Sequence, residues 1–415
     1  MTTFTDLGLP AKMVARLEQS GLTTPTPIQD GAIPLALEGR DVMGLAQTGT
    51  GKTLAFGLPL ITAMQNFGCK PERRTVRGLV LAPTRELANQ INATLRDQVQ
   101  GTPTKVGLVV GGVGLGPQIK RLERGTDILV ATPGRLIDLM EREAMTLDAT
   151  EFLVLDEADQ MLDLGFIHAL RKIASWLPEK RQTMLFSATM PKQMAEIAAT
   201  YLNDPVKVQV SPPGKAADKI TQAVHFIAKA EKTALLIELL NGHRDEAAIV
   251  FARTKHGSER LMKALQKAGY SADSVHGNKS QGQRERAIRG FRAGETKVLV
   301  ATDVAARGLD IPEVRHVYNY ELPNVPENYI HRIGRTARAG MDGAAAAFCA
   351  PDEVGELRAI QKVMKFTIPV ASGRPWEGLE ERPEGRGGNR KPGGGNGQRR
   401  RRSGPPRGRR QKKAA

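Results

Sequence analysis

Three carboxylates follow a short apolar run in the segment FLVLDEADQML, residues 152–162. Asp156, Glu157 and Asp159 lie within four residues of one another, and neighbouring carboxylates repel each other by about 1 kcal/mol even in water. One interpretation is a solvated loop at the end of a strand, because charge runs usually lie on solvated faces. The other is that the carboxylates hold a cation, which requires a partner segment elsewhere in the chain.

A glycine-rich loop in DVMGLAQTGTGKT, residues 41–53, is the predicted partner. It follows an apolar strand and fits the phosphate-binding pattern G-x-x-x-x-G-K-[ST], with Ala46 in place of the first glycine. In this pattern Lys52 reaches the β- and γ-phosphates and Thr53 holds Mg²⁺. Asp156 would complete the Mg²⁺ shell, and Glu157 would orient or activate the attacking water. The two segments together predict ATP hydrolysis with Mg²⁺ as cofactor.

Arginines recur in YIHRIGRTARAG, residues 329–340. The three-residue spacing of Arg332, Arg335 and Arg338 predicts one face of a helix. A positive group near the γ-phosphate stabilises the charge that develops there during hydrolysis. A solvated basic helix is the alternative. Because this segment belongs to a second set of strands, its arginines reach the nucleotide only if two lobes close over it.

Short runs rich in Val, Ile and Leu predict the strands that position these groups. The runs of the first set lie in residues 77–85, 127–135, 151–159 and 183–191, and those of the second in 247–255, 296–308 and 315–323. Each run ends in a small or polar cluster. Helical patterns such as 195–202 and 232–240 lie between them. Strands that are apolar on both faces and alternate with helices predict parallel α/β sheets. Ligands of such sheets bind beyond the carboxyl ends of the strands, where each polar cluster lies.

The two sets of strands also predict two similar domains. ILVAT (128–132) and VLVAT (298–302) each precede a loop with arginine, which suggests two copies of one unit that face each other across a cleft. Residues 209–218 contain prolines and a glycine without periodicity and predict a linker. The predicted domains are therefore residues 1–208 and 219–369.

Residues 370–415 are predicted to be a disordered, basic tail, because a Gly/Pro/Arg-rich segment cannot bury enough apolar surface to fold. The 415-residue chain has a formal net charge of +16, and residues 385–415 contain twelve Lys or Arg and no acidic residue. Such a polycation predicts salt-sensitive binding to RNA, with a solubilising appendage as the alternative.

Composition excludes several other classes. No apolar run approaches the roughly 20 residues of a membrane span, and the N-terminus lacks the pattern of a secretory signal. Cys69 and Cys349 are far apart in sequence, and the seven histidines show no HExxH or paired ligand spacing. We therefore expect a cytoplasmic protein without a disulfide framework or a cysteine-based metal site.

Taken in order, the motifs resemble those of the DEAD-box ATP-dependent RNA helicases, over residues 4–369. The resemblance implies two tandem RecA-like domains and hydrolysis of ATP stimulated by RNA. The matching segments are TPTPIQ (24–29), AQTGTGKT (46–53), PTRELA (83–88), Gly111–Gly112, TPGR (132–135), DEAD (156–159), SAT (187–189), VFARTK (250–255), QRER (283–286), TDVAARGLD (302–310) and HRIGRTARAG (331–340). VHGNKSQGQR (275–284), with LDLGFI (162–167), is similar to the bacterial RhlE-type branch.

The resemblance also implies roles at the nucleotide. Gln29 would read the adenine edge, Phe4 would stack on its ring and Asp310 would hold the ribose. Arg335 and Arg338 would be the arginine fingers, catalytic together with Lys52, Asp156, Glu157 and His331. The loop residues implied to contact the nucleotide are Gln47, Thr48, Gly49, Thr50, Gly51, Lys52 and Thr53. His331 would couple the second domain to the DEAD carboxylates, and Ser187 and Thr189 would relay the nucleotide state.

The implied RNA contacts are Thr84, Arg85, Gly112, Thr132 and Arg135 in the first domain and Thr254, Arg286, Thr302 and Asp303 in the second. Such groups bond phosphate and sugar oxygens without reading base edges, so binding to single-stranded or duplex RNA should be largely independent of sequence. ATP and RNA together would close the lobes, bend one strand and release the other locally. Ribosomal precursors and the RNA-decay machinery are candidate partners.

Two positions depart from the family pattern: Ala337 stands where glycine is usual, and Leu22 where an aromatic residue is usual. A DNA-directed motor or remodelling ATPase is a second possible function, and a non-hydrolysing RNA clamp or assembly factor is a third. The DEAD segment (156–159) together with TPTPIQ (24–29) favours RNA over DNA. The intact Lys52, Glu157 and Arg335 favour hydrolysis over clamping. Neither the oligomeric state nor the particular RNA is indicated by the sequence.

Overall fold

The computed structural model describes residues 2–46, 49–190, 192–210, 220–306, 314–336 and 343–376. Most of the predicted linker and nearly all of the predicted tail lie outside these ranges. The described residues form two parallel α/β domains, as the alternation of apolar runs and helical patterns predicts. None of the described helices is long and apolar enough to cross a membrane.

The first domain is built on one parallel sheet. Its strands are β1 (Val42–Leu45), β2 (Val76–Leu81), β3 (Val106–Val109), β4 (Thr126–Ala131), β5 (Phe152–Leu155), β6 (Gln182–Ser187) and β7 (Val206–Gln209). Its helices are α1 (Ala11–Gln19), α2 (Pro27–Leu37), α3 (Lys52–Gln65), α4 (Arg85–Gln98), α5 (Leu115–Leu122), α6 (Pro133–Glu141), α7 (Ala158–Asp163), α8 (Ile167–Ala174) and α9 (Lys192–Tyr201). The strand order is β3-β4-β2-β5-β6-β1-β7.

The second domain repeats this plan. Its strands are β8 (Ile220–Phe226), β9 (Ala248–Phe251), β10 (Ala272–Val275), β11 (Val298–Ala301), β12 (His316–Asn319), β13 (Gly343–Cys349) and β14 (Val370–Ser372). Its helices are α10 (Lys232–Asn241), α11 (Lys255–Lys267), α12 (Gln281–Arg292), α13 (Asp303–Ala306), α14 (Pro326–Ile333) and α15 (Val354–Met364). The strand order is β10-β11-β9-β12-β13-β8-β14.

The two strand orders are identical once the strands of each sheet are numbered from its own first strand. ILVAT belongs to β4 and VLVAT to β11, and these are the fourth strands of the two sheets. The prediction of two copies of one unit is confirmed. The central strands are buried on both faces: Val154 of β5 packs in one apolar cluster and its neighbours Leu153 and Leu155 in another.

The predicted domain boundaries differ slightly from the observed elements. Strand β7 extends to Gln209, one residue past the predicted end of the first domain. Beyond residue 369, β14 pairs with β8, and the Trp376 indole N–H donates to the carbonyl of Cys349 at 3.1 Å. The second domain therefore includes residues to Trp376 that we assigned to the tail. Cys69 and Cys349 are free thiols.

Candidate nucleotide and RNA sites

The phosphate-binding loop joins β1 to α3 and is described from Gly49 onward; Gln47 and Thr48 lie outside the described residues. Gly49 and Gly51 have φ angles of +87° and +90°, which glycine adopts without strain. Because Gly51 is the residue before α3, the unpaired N–H groups of the first helical turn lie next to the loop. Such N–H groups favour binding of phosphate.

Gln29 connects TPTPIQ (24–29) to this loop by hydrogen bonds. Its Oε1 accepts from the N–H of Thr26 at 2.9 Å, and its Nε2 donates to the carbonyl of Gly51 at 3.0 Å. Nε2 carries a second hydrogen, which the predicted contact with adenine can use. Phe4 packs in the apolar core and is 2% exposed. Its stacking on adenine stays a prediction, and the ring would have to move to perform it.

The carboxylates that follow β5 are buried, so the interpretation of a solvated loop is wrong. Asp156 and Glu157 are 2% exposed, and Asp159 is 4% exposed. Lys52 Nζ lies 3.9 Å from Asp156 Oδ1 and, within the described ranges, has no hydrogen-bond acceptor. Burial raises the pKa of Asp156 to about 6, although the Lys52 ammonium opposes the shift. A buried ammonium without an acceptor next to a poorly solvated carboxylate fits a phosphate together with a cation.

Glu157 has a left-handed backbone, with φ and ψ both +50°. A non-glycine residue in this region costs on the order of 1–3 kcal/mol and persists only where its surroundings hold it. Asp156 Oδ1 contributes by accepting from the Glu157 N–H at 3.0 Å. The strain therefore falls on the residue predicted to orient the attacking water.

Asp159 contacts two other segments of the chain. Its Oδ2 accepts from the N–H groups of Ala188 and Thr189 at 3.1 and 2.8 Å and from the Thr189 hydroxyl at 2.9 Å. The Ser187 hydroxyl donates to the carbonyl of Thr189 at 2.7 Å. From the second domain, His331 Nε2 lies 3.8 Å from the same Asp159 oxygen. The predicted coupling residues of both domains thus meet at one carboxylate.

The arginine prediction needs correction. Helix α14 ends at Ile333, so Arg335 lies beyond it, and Arg332 faces away from solvent with 1% exposure. The Arg332 guanidinium donates to both carboxylate oxygens of Asp303, at 2.5 and 2.8 Å, and to Asn319 at 3.0 Å. Arg332 is therefore an internal brace of the second domain. Because its carboxylate is engaged by Arg332, the RNA contact of Asp303 stays a prediction.

Arg335 is 4% exposed, and its role as an arginine finger stays a prediction. Arg338, Asp310 and Ala337 lie outside the described residues.

The predicted RNA contacts include four threonines that follow strands and precede helices. Thr84, Thr132, Thr254 and Thr302 come after β2, β4, β9 and β11 and before α4, α6, α11 and α13. Thr84 and Thr254 are side-chain N-caps, whose hydroxyls accept from Leu87 N–H at 3.2 Å and Gly257 N–H at 3.0 Å. The N-termini of α4, α6 and α11 therefore lie at the carboxyl edges of the sheets, an arrangement that favours phosphate.

Arg85 and Arg135 are held beside these helix ends. The Arg85 guanidinium lies against Gly112, where an added Cβ would be 1.9 Å from Arg85 Nη1. Arg135 donates to the carbonyl of Val113 at 3.0 Å. Gln118, which the sequence analysis missed, supports the same loop: its Oε1 accepts from Val110 N–H at 3.1 Å, and it is 5% exposed. A glutamine on the buried side of α5 is a weak signal that sequence alone leaves ambiguous.

Both domains line one cavity of about 450 Å³. Its lining residues are Pro83, Thr84, Arg85, Glu86, Gly111, Thr132, Gly134, Arg135, Asp138, Leu164, Phe166, Arg284 and Val304. Arg284 Nη2 of the second domain lies 3.0 Å from Glu86 Oε1 of the first, with side-chain exposures of 17% and 10%. This pair was not predicted from the sequence. Glu86 follows Arg85, and Arg284 lies two positions before Arg286, but nothing in the sequence pairs positions so far apart.

A phosphate-binding loop with buried carboxylates on one parallel sheet, completed by groups from a second sheet of the same topology, defines a two-domain RecA-like ATPase. The DEAD/DEAH box helicase family model matches residues 26–197, and the model of the helicase conserved C-terminal domain matches residues 231–340. The chain belongs to the DEAD-box helicase family, and it is an ATP-dependent RNA helicase.

Curated relatives agree with this assignment. The ATP-dependent RNA helicase CshA of Listeria monocytogenes is 43% identical over 91% of this chain and 72% of its own length. The DEAD-box ATP-dependent RNA helicase CshA of Geobacillus kaustophilus is 43% identical over 88% of this chain and 77% of its own. These relatives carry the name CshA and do not establish the narrower RhlE-type branch.

Solved structures give the same fold. S. cerevisiae Dbp5 bound to RNA and ADP BeF3 matches with a TM-score of 0.79 and 32% identity, over 90% of this chain and 96% of that one. Mss116p bound to ssRNA and AMP-PNP matches with a TM-score of 0.81 and 28% identity, over 91% of this chain and 80% of that one.

Proposed function

We propose that this helicase closes its two domains over ATP and one RNA strand, bends that strand and thereby separates a duplex locally. The observation that carries the proposal is the cavity between the domains, because Thr84, Arg85, Thr132 and Arg135 line it together with Arg284 of the second domain. RNA held there would contact both domains at once. The RNA-bound relatives Dbp5 and Mss116p, which have the same fold, support this placement.

In the proposed ATP site, the loop Gly49–Thr53 binds the phosphates and Lys52 neutralises them. Thr53 and Asp156 would hold Mg²⁺, which would neutralise charge on the β- and γ-phosphates. Glu157 would orient the attacking water and accept its proton. Arg335 and Arg338 would supply positive charge from the second domain. The burial of the Asp156 carboxylate supports a cation, and the Lys52 ammonium, which has no hydrogen-bond acceptor among the described residues, supports a phosphate.

Coupling between the two sites would pass through Asp159. Its carboxylate binds Thr189 of the first domain and lies 3.8 Å from His331 of the second. Domain closure brings His331 to this carboxylate, and the same closure brings Arg284 to the RNA cavity. Nucleotide and RNA would therefore favour the same closed arrangement, which is the physical requirement for RNA-stimulated hydrolysis.

Narrower assignments are part of the proposal. VHGNKSQGQR and LDLGFI support the RhlE-type branch. Ribosomal precursors or the RNA-decay machinery are the proposed partners, and the basic residues 385–415 would add salt-sensitive RNA affinity. Two unpaired cysteines support a cytoplasmic location.

The test is steady-state ATP hydrolysis without nucleic acid, with single-stranded or duplex RNA, and with DNA of matched sequence. We expect stimulation by RNA and loss of roughly 10²–10⁴-fold in Glu157→Gln, because that variant keeps the size of the side chain but removes the base. Glu143→Gln is the matched control, since Glu143 is the same residue type and also has a positive φ, of +53°.

Each alternative function predicts a different outcome. Equal stimulation by RNA and DNA would favour a DNA-directed remodelling ATPase. Binding of ATP without turnover on any polymer would favour an RNA clamp, and the proposed role of Glu157 would then be wrong.

A further inference from the structure

His243, Glu246 and His316 come together in the second domain, far from the ATP and RNA sites. His243 and Glu246 lie in the connection from α10 to β9, and His316 is the first residue of β12. Because β9 and β12 are neighbours and His316 pairs with Ala248, this connection lies beside His316 at the amino ends of the strands. The RNA-contacting threonines follow the carboxyl ends, so the cluster occupies the opposite edge of the sheet.

One potential ligand atom from each of these residues lies within 4.8 Å of the other two. His316 Nε2 is 2.5 Å from Glu246 Oε2, and the rings of His243 and His316 stack with their centroids 3.5 Å apart and their planes 10° apart. Arg315 contacts the other carboxylate oxygen, Oε1, at 3.6 Å, so Oε2 faces the histidines. Two imidazoles and a carboxylate are a ligand set of catalytic and mixed zinc sites.

A second observation concerns the nitrogens of His243. Its Nε2 is 2.6 Å from the Tyr318 hydroxyl, while Nδ1 is buried and has no hydrogen-bond partner within the described ranges. When the Tyr318 oxygen accepts from Nε2–H, the lone pair lies on Nδ1. A ligating histidine commonly has its other nitrogen held in this way, which orients the ring and sets its tautomer.

We propose that His243, Glu246 and His316 bind a zinc ion, with Tyr318 positioning His243. Tetrahedral zinc with bonds of about 2.0–2.2 Å places its ligand atoms roughly 3.4 Å apart, so side-chain rotations would adjust the spacing of ligand atoms that now lie within 4.8 Å of one another. Zinc would replace the hydrogen bond between His316 and Glu246. Mg²⁺ prefers oxygen ligands and does not compete for a site with two imidazoles. The ion would cross-link the connection before β9 to the start of β12, and therefore stabilise the second domain without touching ATP or RNA.

The experiment measures zinc binding to the full chain by competition with a chromophoric chelator, in excess Mg²⁺ and without nucleotide or RNA. We expect one tight zinc ion per chain and at least tenfold weaker binding in His316→Ala and Glu246→Gln. Tyr318→Phe should weaken binding by roughly 10–100-fold, the usual effect of removing a residue that orients a ligand. His276→Ala is the matched control, because His276 also contacts a glutamate, Glu259 at 3.1 Å, and belongs to no such three-residue cluster in the described structure.

Two further readouts separate a site from a folding defect. Saturating zinc should raise the midpoint of thermal unfolding of the wild type and of His276→Ala, and leave that of His316→Ala unchanged. Cobalt(II) in place of zinc should give the intense visible absorption of a tetrahedral site. Zinc binding in the wild type that is no tighter than in His316→Ala, or an equal loss in His276→Ala, would overturn the proposal.

Discussion

Gly51 shows how one residue holds two motifs together. Its φ of +90° suits glycine alone, and its carbonyl accepts from Gln29. An added Cβ would lie 2.5 Å from Gln29 Nε2 and 3.0 Å from Thr26 Oγ1. Any side chain at this position must therefore displace the residue predicted to read adenine.

We predict that Gly51→Ala weakens ATP binding by at least tenfold, measured with a fluorescent nucleotide in the absence of RNA. Gly39→Ala is the control for backbone strain alone, because Gly39 has a φ of +81° and its added Cβ would meet nothing within 4 Å. Both variants should lose about 1 kcal/mol of stability from the strained backbone. Equal nucleotide affinity in the two variants would show that the contact with Gln29 does not matter.

The sequence predicted that the segments of Lys52 and Asp156, which are far apart along the chain, lie together in one site. Lys52 and Asp156 lie 3.9 Å apart, as a shared phosphate and metal site requires. The spacing of Arg332 and Arg335 was misleading, because α14 stops at Ile333 and the first of the two arginines turns inward to Asp303. A three-residue spacing predicts a shared face only where the helix continues.

Among the elements, α11 and α12 are joined by a hydrogen-bonded connection that helps to position α12. Glu259 of α11 accepts from the Ser274 hydroxyl at 2.8 Å and lies 3.1 Å from His276 and 3.6 Å from Lys279. Residues 276–279 lead directly into α12, which carries Arg284 and Arg286. Glu259 thus helps to position the helix that faces the RNA cavity.

The hydrogen bond from His276, together with Ser274 and Lys279, lowers the pKa of Glu259 to about 2. A lowered carboxyl pKa contributes stability that is fully present above the unfolded value of 4.5 and is lost as the pH falls towards 2. We predict that Glu259→Gln lowers the midpoint of chemical unfolding at pH 7 and that the difference from wild type shrinks below pH 4.5. Glu285→Gln on the exposed side of α12 is the control. A difference that is the same at pH 7 and at the lowest pH where the wild type stays folded would contradict this account.

Strand β13 shows why some elements escape sequence-based prediction. Its sequence, GAAAAFC, is rich in alanine, the best helix former. It is nevertheless a strand, because it lies between β12 and β8 and pairs with both. The strongly β-branched runs of β4, β9 and β11 were predicted correctly. Where local preference and position in the sheet disagree, tertiary pairing prevails.

The proposed mechanism requires the two domains to meet, and the described structure includes two side-chain pairs that lie across them. His331 lies near Asp159 at the ATP side, and Arg284 lies 3.0 Å from Glu86 at the RNA side. The second pair is largely shielded from solvent, so its attraction is screened less than that of a surface pair. An interaction that exists only when the domains are closed adds its whole free energy to closure.

We predict that Glu86→Arg or Arg284→Glu raises the RNA concentration needed for half-maximal ATPase stimulation by roughly 5–150-fold, the usual range for coupling free energies of about 1–3 kcal/mol. Each single variant places two like charges at positions 86 and 284, and their repulsion opposes closure of the domains. The exchange Glu86→Arg with Arg284→Glu restores opposite charges and should recover most of the RNA affinity. ATP affinity without RNA should change little in all three proteins, because neither residue lies in the ATP site.

Arg289→Glu controls for the change in charge itself, since Arg289 is exposed on the same helix, α12. A general change in attraction to RNA would weaken binding in Arg289→Glu and Arg284→Glu alike, and it would strengthen binding in Glu86→Arg, which adds positive charge. Weaker RNA stimulation in Glu86→Arg, together with recovery in the exchanged pair, therefore isolates the contact between the domains. If the exchanged protein needs as much RNA for half-maximal stimulation as the worse single variant, Glu86 and Arg284 act separately on RNA. Closure would then depend on the contact of His331 with Asp159 and on the bound RNA.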